Sequence, residues 1–189
     1  MSGTMEDMRQ KIGRTENLGS VVHTMKALAA SNIGQYEDSV RALEDYYRTI
    51  VLGLSICLGR PTAELTGAVP AGAAGTSAVV VFGSDQGLVG QFNDRLVDYT
   101  IDRLDRLPGD KKIWAMGERI GNRLGEQGLP VVKIYNVPGS IHAVPAFVGR
   151  LLVESWMSPY FLFFNRPAAG ASYEPAFQRM LPLDQQWVQ

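Results

Sequence analysis

From Thr4 to Leu58 the sequence holds no proline, and its apolar side chains recur at one spacing. The stripe runs through Met5, Met8, Ile12, Thr15, Leu18, Val22, Met25, Ala29, Ile33, Tyr36, Val40, Leu43, Tyr47, Ile50 and Leu54. Every step is three or four residues and the mean is about 3.5, the period of a left-handed supercoil rather than of a helix lying on a globule. Thr15 is the weak member. Gly13, Gly19, Gly34 and Gly53 each lower helix propensity by roughly 1 kcal/mol against alanine, so packing has to hold the helix.

Length then sets a requirement. About 55 helical residues make a rod of roughly 80 Å. The remaining chain suffices for a domain about 35 Å across. At least half the stripe is therefore expected to project beyond that domain. Burying its side chains is worth at most ~20–30 kcal/mol, and leaving them in water would make an apolar seam larger than a soluble monomer tolerates. The alternative is a hairpin folded at one of the glycines. An uninterrupted period and the lack of a turn dipeptide disfavour it. The helix is expected to bury its stripe against something else.

Composition narrows the rest. Apolar residues are 46% and charged residues 20%, enough for a sizeable core. The formal net charge of −1 carries no electrostatic footprint for nucleic acid. Cys57 stands alone and cannot form an internal disulfide. No secretory signal opens the chain, and no apolar run approaches the ~18 residues of a membrane span, so a soluble protein is expected.

Gly59 to Gly75 is rich in Ala, Gly and Pro and reads as a linker. Beyond it, short strands and helices alternate. Strands are expected at Ser77–Phe82, Lys112–Met116, Val131–Val137 and Tyr160–Asn165, with an edge strand at Tyr173–Leu181 that can hold Pro175. Helices are expected from Gly90 to about Leu107, over Glu118–Gln127, and over Ala143–Trp156 with Pro145 in its first turn. The alternation predicts an α/β fold: a long coiled-coil helix over 1–58, a linker over 59–75, and a Rossmann-like, mostly parallel domain over 76–189.

Several residue patterns could carry chemistry. Gly83, Gly87 and Gly90 follow a strand and open a helix, where backbone N–H groups could cradle an anion. The spacing is neither a dinucleotide fingerprint nor a P-loop, and a tight strand-to-helix turn explains it. Asp85 has no histidine or nucleophile at a recognisable spacing, and is expected to cap the helix that follows it. His23 and His142 are isolated, which argues against a metal site. Asp94, Asp98 and Asp102 form a ladder expected to be a solvated face.

Two stretches carry a resemblance. Met8-Arg9-Gln10-Lys11-Ile12-Gly13-Arg14, followed by Val22-His23-Thr24-Met25-Lys26-Ala27-Leu28-Ala29-Ala30-Ser31, is similar to the N-terminal helix of the gamma subunit of F-type ATP synthases. Val79 through Asn93, with Ser84-Asp85-Gln86-Gly87-Leu88-Val89-Gly90, resembles that family's signature between first strand and first helix. Tyr173-Glu174-Pro175 through Met180-Leu181-Pro182-Leu183 is a weaker match. Val89 stands where the family commonly has cysteine, and Gln86 where it has a basic residue.

The resemblance implies a divergent member that stops before the family's C-terminal helix, with Ser158-Pro159 where a longer charged turn is usual. It implies a rotor shaft inside a ring of alpha and beta subunits, its α/β domain against the epsilon subunit and the ring of c subunits. Coupling would then be by rotation driven by proton flow, with no catalytic site, cofactor or metal of its own. The membrane would be met only through the complex, on the cytoplasmic face of a bacterial inner membrane. Lys11, Arg14, Met25 and Lys26 would be the torque contacts, and Ser84, Asp85, Gly87, Leu88, Gly90 and Asn93 the signature turn. The alternative is a small Rossmann-like nucleotide-binding enzyme with an oligomerising helix. A third reading is a scaffold that uses the helix in an unrelated coiled coil.

Overall fold

A computed structural model describes residues 2–58, 75–107, 109–155, 159–169 and 172–181. The expected linker, apart from Gly75, lies outside them, as do Trp156, Ser158 and everything from Pro182 onward. The chain divides into two compact units, Met1–Leu54 and Ser55–Gln189.

Helix α1, Ser2–Leu58, is unbroken by its glycines and makes up the first unit as far as Leu54. Around Gly13, Gly19, Gly34 and Gly53 nothing lies within 4 Å of where a Cβ would stand. The weak stripe member is accommodated locally, because the Thr15 hydroxyl donates to Lys11 O at 2.9 Å. Thr24 and Thr49 bond back one turn in the same way.

The second unit is built on a five-stranded sheet. In chain order its elements are β1 (Thr76–Phe82), α2 (Phe92–Leu104), β2 (Asp110–Met116), α3 (Glu118–Glu126), β3 (Val131–Tyr135), α4 (Val144–Ser155), β4 (Tyr160–Pro167) and β5 (Tyr173–Leu181). The strand order is β3-β2-β1-β4-β5, with β5 alone antiparallel. The chain steps outward from β1 to β3, then returns to the other side of β1. That reversal puts α4 on the opposite face from α2 and α3.

Two cores follow from alternation along the strands. Val79, Val81, Ile113, Ala115, Phe161 and Phe163 meet Leu96, Val97, Ile120 and Leu124 of α2 and α3. Ala78, Val80, Trp114, Met116 and Tyr160 meet Phe147 and Leu151 of α4. β1 is central and buried on both faces, which is why it reads as a continuous β-branched run.

Element boundaries differ from expectation for identifiable reasons. α2 begins at Phe92, not Gly90, since Gly90 has φ +59° and still belongs to the turn. β2 starts at Asp110, where it is already in register with Thr76. β3 ends at Tyr135 because the Val137 N–H leaves the ladder for a side chain. Ile141–Ala143 is a 3-10 turn that leads into α4. β4 runs on to Pro167 because β5 pairs with it that far.

Candidate functional site

The signature turn leaves β1 beside β4, where the strand order reverses and an open parallel sheet leaves a crevice at its carboxyl ends. Side chains fill that crevice. Ser84 N–H donates to Asn93 Oδ1 at 3.0 Å, and Asn93 Nδ2 donates to Ser84 Oγ at 2.8 Å. The Ser84 hydroxyl donates a hydrogen bond to Gln86 O at 2.9 Å. From the end of β4, Asn165 Nδ2 donates to Phe92 O at 2.9 Å.

Asp85 corrects an expectation: it does not cap α2. Its Oδ1 accepts the Glu118 N–H at 2.8 Å, and its Oδ2 accepts the Val137 N–H at 2.7 Å. Gln91 occupies the α2 N-cap with no side-chain bond. The reason lies at α3. Its N-cap is Gly117, which has no side chain to offer, so its first N–H groups need outside acceptors. Asp85 takes one and Ser84 O takes the next, from Arg119 N at 3.0 Å. A carboxylate at the N-terminus of α3 also meets the favourable end of the helix dipole. The anion this turn could have cradled is thus supplied by the turn itself.

Two glycines admit the turn to this position. A Cβ on Gly83 would lie 2.4 Å from Ile120 Cβ. One on Gly117, where φ is +117°, would lie 2.7 Å from the backbone of Ser84. Leu88 is the one described non-glycine residue with positive φ (+62°), and its side chain is 76% exposed. Beside it a concavity of about 490 Å³ is lined by Gly87, Leu88, Arg119, Arg123 and Glu126, among others. Arg123 bonds Asp94 at 2.7 Å and Glu126 at 2.8 Å, and these hydrogen bonds, Glu126 first, hold its guanidinium pKa still higher than usual. Asp94 therefore ties α2 to α3, whereas Asp98 and Asp102 are exposed as expected of a solvated face.

On α1 the stripe from Met5 to Ile50 is open. Ile50 keeps 39% of its surface exposed and Leu43 65%, and Met25 is half-buried. Lys11, Arg14 and Lys26 are exposed, and none of them makes an ion pair with any described residue. At ~100° per residue, Lys11, Arg14, Met25 and Lys26 fall within about 120° of arc and about 22 Å of rise. They share one side of the helix.

Sequence reasoning missed a second cluster, on β3 and α4. Glu154 Oε2 accepts Lys133 Nζ at 2.6 Å and the Tyr135 hydroxyl at 2.5 Å. Burial first, then the hydrogen bond to Glu154, push Tyr135 up to about 12. The bonds from Lys133, then Tyr135, hold Glu154 below its usual range. Nothing in the sequence signals a contact between residues so far apart. Among the described residues no group of three or more His, Cys, Asp or Glu could hold a metal ion, and no helix is long and apolar enough to cross a membrane.

Comparison with known proteins agrees with this architecture. The family model described as ATP synthase matches residues 4–188. The ATP synthase gamma chain of Anaeromyxobacter dehalogenans is 26% identical over 96% of this chain and 67% of its own length. That of Methylibium petroleiphilum is 27% identical over 94% of this chain and 65% of its own length. This chain thus spans about two thirds of the curated relatives it matches. The central stalk/c-ring structure of the Tetrahymena thermophila mitochondrial ATP synthase shares the fold. Its TM-score is 0.51 and its identity 18%, covering 62% of this chain and 55% of that one.

Proposed function

The chain belongs to the ATP synthase gamma-chain family, and on that premise we propose that it is a central rotor-shaft subunit of a proton-translocating F-type ATP synthase. Rotation driven by ion flow would turn α1 within a ring of alpha and beta subunits. Its uneven surface would bias each catalytic beta subunit among pre-existing conformations, which is coupling through differential contact. Chemistry would belong to beta and not to this chain.

The observation that carries the reading is the open seam of α1, which keeps a supercoil period over some 45 residues with its side chains in water. In this proposal another helix covers part of the seam, and the side of the rod left open, with Met25 at the edge of the seam, faces the ring. Lys11, Arg14, Met25 and Lys26 are the proposed torque contacts, three cations available to acidic segments of beta. The signature turn from Ser84 to Asn93 has its polar groups committed to α3, the segment after β3, and α2, which supports a rigid foot more than a nucleotide site. That foot would meet the epsilon subunit and the c ring, at the cytoplasmic face of a bacterial inner membrane.

The test is Met25→Lys in an assembled enzyme. A new charge on the shaft surface should lower protons pumped per ATP hydrolysed while leaving the melting temperature of the isolated chain within a degree or so. Met25→Cys or Lys26→Cys should also cross-link to a catalytic beta subunit. An unchanged pumping ratio together with no cross-link would sink the proposal. Micromolar binding of NAD or ATP by this chain would instead favour the nucleotide-dependent enzyme.

A further inference from the structure

Hydrogen bonds at the carboxyl ends of the strands form a series that crosses the whole parallel sheet. Val137, just beyond β3, donates its N–H to Asp85 Oδ2 at 2.7 Å, and Glu118, just beyond β2, donates to Asp85 Oδ1 at 2.8 Å. Asp85 itself stands just beyond β1. Its neighbour Ser84 exchanges two bonds with Asn93 of α2, at 3.0 and 2.8 Å. Asn165, near the end of β4, donates to Phe92 O of α2 at 2.9 Å. One set of side chains thus joins β3 and β2 to β1, and through α2 joins β1 to β4, in the order the strands lie in the sheet. The Arg123–Asp94 bond at 2.7 Å adds a second tie between α3 and α2.

Local satisfaction does not account for the series. The bonds of Asp85 lie at exposed positions, where water could serve the Glu118 and Val137 N–H groups equally well. What water cannot do is hold three strand ends at fixed separations. Leu88 points the same way. It is kept at φ +62°, a conformation that a non-glycine residue holds only where its surroundings impose it. With 76% of its surface exposed, burial does not hold it there. The anchors are Ser84 and Asp85 on one side of it in sequence and Asn93 on the other.

We propose that Asp85 and Asn165 are positioning residues for coupling: they lace the carboxyl rim of the α/β unit into one cooperative element, so that torque crosses the unit without the rim yielding. The coupling role rests on the rotor reading. Force and conformational bias pass through elements that move as a whole, and hydrogen-bond networks between packed elements are one way to build them. The role assigned to the two residues is internal to the chain, exerted through α2, α3 and the strand ends. Because the links act in series, breaking one loosens the rim, and breaking a second then adds little. The bonds of Lys133 and Tyr135 to Glu154 tie β3 to α4, on the opposite face of the sheet, and stand outside the series.

Two measurements test this. In the full chain, urea midpoints are compared for Asp85→Asn, Asn165→Ala and the double variant. The double variant should unfold close to the less stable single variant, although Asp85 and Asn165 have different hydrogen-bond partners. Midpoint shifts that simply add would show independent sites and overturn the inference. In the assembled enzyme, Asp85→Asn and Asn165→Ala should each lose protons pumped per ATP hydrolysed. Tyr135→Phe, which also removes one hydrogen bond of the α/β unit, should keep the parent ratio. Equal losses in all three variants would reduce the effect to stability and overturn the coupling role, as would an unchanged ratio in both rim variants. A parent chain that pumps no protons would instead sink the rotor reading, and the coupling role with it. The additivity of the urea midpoints would still decide whether the rim is one element.

Discussion

Gly117→Ala puts the close approach of the signature turn to α3 under direct test. Gly117 is buried, with φ +117° and ψ 131°, and its would-be Cβ lies 2.7 Å from Ser84 C and O and 2.8 Å from Ser84 N. Holding alanine at that backbone costs about 1–3 kcal/mol in strain. The contacts cannot be relieved by rotating a side chain, because all three atoms are backbone. Either the turn shifts and weakens the bonds of Ser84 and Asp85 to α3, or the overpacking stays, at about 1–3 kcal/mol. Alanine returns about 0.4–1 kcal/mol by restricting the unfolded chain. The net loss is about 3 kcal/mol.

Two controls isolate the cause. Gly90 also has positive φ (+59°) but nothing within 4 Å of a built Cβ, so Gly90→Ala should carry strain alone and lose about 1 kcal/mol. Gly149 lies inside α4 in open space, and Gly149→Ala should gain about 0.5–1 kcal/mol. In urea, followed by tryptophan fluorescence to which the buried Trp114 contributes, a slope near 1.5 kcal/mol/M turns these into midpoint shifts of about −2 M, −0.7 M and +0.5 M. If Gly117→Ala unfolds within about 0.5 M of Gly90→Ala, the close approach is not what the turn depends on.

Two further substitutions probe the polar ties. Asp85→Asn keeps one oxygen acceptor and loses the other, so either Glu118 or Val137 N–H loses its partner; the expected loss is about 1–2 kcal/mol, and Asp85→Ala should lose about twice that, read in the same urea titration. Tyr135→Phe should cost about 1 kcal/mol near neutral pH and alter the alkaline limb. Because the folded pKa of Tyr135 is raised to about 12 from 10.0, its contribution is full below pH 10 and is lost as pH rises from there towards 12. Stability measured across that window should fall less steeply in the variant. Tyrosinate absorbance should show a late-titrating tyrosine in the parent, and the same slope in both proteins would refute this assignment.

The architecture was legible because it rests on local patterns. A stripe stepping by three or four over residues 5–54 needs no tertiary information, since each step asks only whether side chains share a helix face. The β-branched run at Val79–Val81 and the alternation of short elements likewise announced a parallel sheet, and Tyr173–Leu181 was read as an edge strand within its observed bounds. The signature motif located the turn. Its residue types alone, however, supported capping α2 as readily as capping α3.

What Asp85 does was decided by tertiary structure. Its two partners lie 33 and 52 residues away in sequence, and they come within reach only because β1, β2 and β3 are adjacent in the sheet. Gly117 takes part for the same reason: a glycine cap leaves N–H groups unsatisfied, and only the packed sheet brings a carboxylate to them. The same holds for Lys133, Tyr135 and Glu154, joined across β3 and α4. Periodicity belongs to one element and can be read along it, whereas a hydrogen bond between elements depends on the order in which the strands assemble. For this chain, residue order alone specified the rod and the layers, and folding turned a loop that looked ready for an anion into one that carries its own.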